Sequence, residues 1–243
     1  MRRNDVAILN RTTVMTDPEA EAIVAALQIQ IDRDFAPAWG ITARLVFVPT
    51  TELTGWEEKW NIVLLDHSDQ PGPLGYHQLT PDGLPQGKVF VADDLKYHVC
   101  PSVTLSHELL ETLGDPHSNL LVRDSTKDGS PFFAYENCDP VESDELAYEI
   151  DGVRVSNFVL PRYFDLGATD GPFDFLGHLS RPLSTAPDGY LNMLDTETGQ
   201  VIPVKLSAAG RVEPAFHQPR RPGNGSRRQR RNTPRPAWKP SKA

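Results

Sequence analysis

Between Ser102 and Leu113, Val103, Leu109, Leu110 and Leu113 fall on one side of a helix, with Pro101 placed to start it and Gly114 to end it. This helix constrains the fold most, because it carries His107, Glu108 and Glu111 between its apolar residues. His107 and Glu111 are four apart, about one turn, so they share a face and can bite one cation. Glu108 lies about 100° round the helix from His107, where it could reach a water on that cation without being a ligand. The bland alternative is an ordinary i,i+4 polar pair on a helix surface, worth little. Glu108 beside that pair favours the metal site.

Around that helix the chain reads as an α+β domain with a mixed sheet. Thr16 with Glu19, or Asp17 with Pro18, makes a helix start, and Val24, Leu27, Ile31 and Phe35 carry one apolar stripe to about Phe35. Strands are expected at 44–48 and, covered on both faces, at 61–65. The stretch 74–79, set among prolines and glycines, reads as an edge strand, and 88–92 as a further strand. The half beyond Asp115 is irregular, with short strands expected at 147–150, 153–159 and 200–204.

The segment SHELLETLGDPHSN fits HExxExxGxxH, which resembles the extended metzincin motif HExxHxxGxxH at every fixed position but one. The order helix, strand, strand, edge strand, strand, active-site helix is that of zincin catalytic domains. The resemblance implies Zn2+ held by His107, Glu111 and a third ligand, His117, with Gly114 breaking the helix so that the chain turns back to present it. It further implies that Glu108, as general base, takes a proton from water and passes it to the leaving amine. The implied substrate is a polypeptide laid along the edge strand. Glutamate is a legitimate zinc ligand, but at position 111 it adds negative charge and makes a bound water less acidic. Met193 is the one candidate for a metzincin methionine turn, yet LDTETGQVI reads as strand, turn, strand, which makes Met193 a packing residue.

Other acids compete for the third position. Asp115 follows the helix, and ENCDPVE places Glu136, Asp139 and Glu142 at intervals of three. SHELLETLGDP followed by ENCDPVE and VSNFVLPRYFD is also similar to uncharacterised phage and prophage proteins with a zincin-like signature, and on that comparison Glu136 is the third ligand. Turn and capping chemistry, or a hard-cation site, would equally explain these acids. His67, His77, His98, His178 and His217 have no ligand spacing and read as structural or exposed. Tyr163 and Tyr190 read as core residues, with a hydroxyl available for an oxyanion as the alternative. Cys100 and Cys138 are too few for a disulfide framework.

The net charge of −9 hides a division. Nine of the 24 basic residues lie in the last 26 positions, which hold no acid; the remaining 15 face 33 acids, so the body stands at −18 and the tail at +9. Residues 1–215 are expected to form the metal-binding domain. Residues 216–243, rich in Arg and Pro, are expected to be a disordered tail suited to nucleic acid or another acidic partner. A non-catalytic phage or prophage protein, with a structural metal and this tail as its binding element, is the competing reading of the whole chain. No apolar run approaches the ~18 residues needed to cross a bilayer, and the N-terminus lacks a secretory signal. The expectation is a cytoplasmic protein, virion-associated if phage-encoded.

Overall fold

The structure is a computed structural model that describes residues 4–56, 58–70, 74–127, 129–206 and 212–215. The tail expected from residue 216 onward, and His217 with it, lie outside the described residues. The fold is α+β. Its first half runs β1 (Asn4–Asn10), α1 (Asp17–Ile29), a π turn (Gln30–Phe35), α2 (Ala36–Trp39), β2 (Ala43–Val48), β3 (Trp60–Leu65), β4 (Gly75–Leu79), β5 (Pro85–Phe90), α3 (Val91–Lys96) and α4 (Pro101–Gly114).

The first five strands form one sheet in the order β2-β1-β3-β5-β4, parallel except for β4, which runs antiparallel to β5 at the edge. Helices α1 and α4 cover one face, where Val6, Ile8, Ile62, Leu64 and Val89 join Leu27, Ile31, Leu105 and Leu109 in the main core. Ala7, Leu9 and Val48 point the other way, against Trp56 and Val63.

Three elements differ from the sequence expectation. Asn4–Asn10, which carries no helical or alternating signal, is a central strand, because the run Val6–Leu9 is covered on both faces. The strand expected at 88–92 starts earlier, at Pro85, and its last residues turn into α3. The stripe from Val24 to Phe35 does bury Ile31 and Phe35, but through a π turn after Ile29. Within that turn Gln30 is buried: its Nε2 donates to Ser156 O at 2.9 Å, and its Oε1 accepts from Ser106 Oγ at 2.7 Å, tying the first helix to α4. At the start of α1, Thr16 and Glu19 form the expected capping box.

The second half adds β6 (Leu121–Arg123), β7 (Phe132–Ala134), β8 (Tyr148–Ile150), β9 (Val153–Val155), β10 (Leu191–Leu194), β11 (Val201–Leu206) and β12 (Val212–Pro214). A second sheet runs β12-β11-β10-β7-β6, and β8 pairs with β9 alone. The β10–β11 hairpin was legible in LDTETGQVI. Met193 sits in β10 opposite Ile202 and packs on the second core, as expected of a packing residue. Among the described residues no helix is long and apolar enough to cross a membrane.

Candidate metal centre

Helix α4 starts at Pro101, and the Cys100 N–H before it donates to Asp144 Oδ2 at 2.9 Å. From Ser102 to Leu113 every residue is buried, including His107, Glu108 and Glu111, which are at most 5% exposed. Ionisable groups are rarely buried like this unless they are paired or hold a metal. The edge strand β4 packs over them from one side and residues 136–139 from the other.

Glu111 is fixed by backbone. Its Oε1 accepts from the N–H groups of Cys138 and Asp139, both at 3.2 Å, and its Oε2 stands 3.1 Å from His107 Nε2. Asp139 brings Oδ1 to 3.3 Å from the same nitrogen, while its Oδ2 accepts from Asn192 Nδ2 at 2.7 Å. The 136–139 segment is itself pinned at several points. Asn137 Nδ2 donates to Leu110 O at 2.8 Å, Val159 N to Asn137 O at 2.7 Å, and Tyr190 N to Asp139 O at 3.0 Å. A Cβ on Gly189 would sit 1.9 Å from the Pro140 carbonyl oxygen, so glycine is required where this clamp passes. The irregular half therefore holds four residues against α4.

Gly114 serves the same contact. It is the last residue of α4, and a Cβ there would lie 2.4 Å from Asn137 Nδ2. Its requirement for glycine comes from the approach of that amide. Gly114→Ala should cost about 2 kcal/mol by displacing the Asn137 hydrogen bond. A urea midpoint equal to that of the parent would show that the segment yields freely.

His77 enters from β4. Strand alternation places Gly75 and His77 on one face, toward α4. A Cβ on Gly75 would stand 2.5 Å from Glu108 Oε1, so the strand's close approach depends on glycine. His77 Nδ1 lies 3.7 Å from Glu111 Oε2 and 3.8 Å from Glu108 Oε2; its Nε2 lies 3.8 Å from Glu136 Oε2. Burial alone would pull the His77 imidazole down, but Glu136, Glu108 and Glu111 outweigh it and hold it up to about 10. Burial raises Glu111, with Asp139 and Glu108 adding to the effect against the pull of His107. Glu136 is raised well above the ordinary range by burial and then by Glu111.

Comparison with family models, with curated proteins and with solved structures finds no match for this chain. The functional reading rests on the geometry.

Among the described residues, two groups of donors could hold a metal ion: His107, Glu111 and Cys138, and His77, Glu111 and Glu136. The helix residues expected from the sequence thus come together, and Glu136 and Asp139 reach them. His117 does not: it is exposed in the loop after α4 and belongs to neither group. Asp115 closes that loop, its Oδ2 accepting from Leu120 N at 2.8 Å. Glu142 is buried but is in neither group. Tyr163 is core, with its hydroxyl on Ser184 O at 2.7 Å, and Tyr190 is also buried. Neither Cys100 nor Cys138 is in a disulfide.

Of the expectation that His77 is structural or exposed, the second half is corrected: it faces the cluster, with a side chain 7% exposed. Its partners are 31 to 59 residues away in sequence, so ligand spacing could not find it. The expected edge strand beside the active-site helix was the one available signal. Cys138 was likewise passed over, although it lies between two acids already singled out.

The donor set fits zinc, since imidazole, carboxylate and thiolate are its usual ligands. Its buried charge fits too: among the described residues Glu108, Glu111, Glu136 and Asp139 face two imidazoles.

Proposed function

We propose that the protein is a zinc-dependent, metallopeptidase-like hydrolase of the zincin type. The observation that carries this reading is the convergence of His107, Glu111 and the 136–139 segment beside Glu108, in a buried cluster with an excess of carboxylate. His107 and Glu111 would hold zinc with a donor from 136–139, Cys138 being the one that groups with them. Bound there, zinc would supply Lewis acidity to polarise a substrate carbonyl and make water easier to deprotonate.

The chain's own residues do the rest. Glu108 takes a proton from the attacking water and delivers it to the leaving amine. The backbone N–H groups of Cys138 and Asp139 hold Glu111 in one orientation. Strand β4, with one edge unpaired among the described residues, offers main-chain hydrogen bonds to an extended peptide passing Glu108 beside Gly75.

The test is cleavage of a peptide library by the full chain. Activity should disappear with a chelator, return with zinc, and be absent in His107→Ala. A parent protein that neither contains zinc nor takes it up on titration overturns the proposal.

The burial of His107, Glu111 and Cys138 favours a second reading, in which the metal is structural and the nine basic residues from Arg220 to Lys242 bind an anionic partner. Tightly bound zinc with no cleavage by the parent is the outcome that would favour it.

A further inference from the structure

The helix motif accounts for one of the two donor groups that meet at Glu111. In the other, His77, Glu111 and Glu136 each bring one ligand atom within 4.8 Å of the rest. That group contains two buried atoms with no hydrogen-bond partner among the described residues, His77 Nε2 and Glu136 Oε2. They face each other at 3.8 Å, and the His77 side chain is 7% exposed.

Such a pair is costly to bury unless something lies between them. The gap is too long for a direct hydrogen bond. It suits two donors of one ion, since ligands each about 2.0–2.2 Å from a metal stand roughly 3–4 Å apart. The excess of carboxylate around these atoms, from Glu108, Glu111, Glu136 and Asp139, also favours a cation there.

We infer that the protein holds a second divalent cation between His77, Glu136 and Glu111, with Glu111 shared by the two ions. The inference rests on the reading of His107 and Glu111 as ligands of the first. Glu111 is placed for sharing, because its Oε1 is held by two backbone N–H groups, its Oε2 lies 3.1 Å from His107 Nε2, and it belongs to both donor groups. One imidazole with two carboxylates accepts zinc or manganese, whereas the Cys138 thiol biases the first position toward zinc. In paired-metal hydrolases the two ions clamp the attacking and leaving groups from both sides. Here the edge strand would supply a ligand as well as a docking edge.

The experiment is a titration of the metal-free full chain with zinc, counting bound metal after desalting. The parent should retain two equivalents, and His77→Ala and Glu136→Gln one each. Manganese-loaded parent should show the electron paramagnetic resonance of a coupled pair, and His77→Ala that of an isolated ion. One equivalent in the parent, or two in both variants, overturns the second site. The parent's count does not depend on either variant folding. No zinc at all would sink the metallopeptidase reading too, whereas one equivalent with peptide cleavage sinks the second ion alone.

Discussion

Glu108→Gln should lower peptide cleavage by about 10²–10⁴-fold while zinc content and fold are retained. Glutamine has the size and shape of glutamate, so the close packing against Gly75, where a Cβ would lie 2.5 Å from Oε1, is preserved. What disappears is the capacity to accept a proton from water and return it to the leaving group. Loss of activity with zinc content and thermal stability close to the parent's would separate a base from a structural residue. Cleavage within about threefold of the parent would exclude Glu108 as the base.

The metal-free protein should lose stability as pH rises from about 5.5 to 9. His77 is held up to about 10 from its ordinary 6.5, so the stability it contributes is fully present below about 6.5 and is lost as pH climbs toward 10. Glu111 and Glu136 are both raised, so the folded state keeps protons there that the unfolded chain releases, and folding weakens as pH rises above the ordinary carboxylate range. All three groups act in one direction. The thermal midpoint should fall by about 10 °C over that window. Zinc at about 1,000-fold over its dissociation constant adds roughly 4 kcal/mol and should restore a similar amount at pH 8. At pH 5.5 the gain should be smaller, because protons compete for the ligands. A metal-free midpoint that stays flat, or rises, with pH would mean that these groups do not face one another in solution.

How much of the site could be read beforehand depends on sequence distance. His107, Glu108 and Glu111 are within one turn of a helix whose ends are marked by Pro101 and Gly114, and helical geometry alone puts them together. The third position was another matter. Imidazole chemistry and the motif spacing favoured His117, but Asp115 bonds back to Leu120 N and the loop leaves His117 exposed. The chain instead brings residues 136–139 to Glu111 through hydrogen bonds from Asn137 and from Asn192. Those partners are 27 and 53 residues apart in sequence, beyond the reach of any local pattern.

The strands followed a similar division. The stretches at 44–48 and 61–65 declared themselves through branched and continuous apolar residues, and the proline and glycine around Leu74–Leu79 marked an edge. The central strand Asn4–Asn10 was not legible, because four consecutive apolar residues fit a buried strand or a buried helix segment equally well.

The sequence by itself determined the α+β class, the two main helices, the edge strand and the triplet His107, Glu108 and Glu111, since each depends on periodicity or capping over a few residues. Only the tertiary structure decided which further donors stand beside that triplet. His77 and Cys138 meet Glu111 because a mixed sheet sets its antiparallel edge strand β4 beside α4 and a distant hairpin pins Asp139. Contacts of that kind come from long-range packing and leave no repeating mark in the chain.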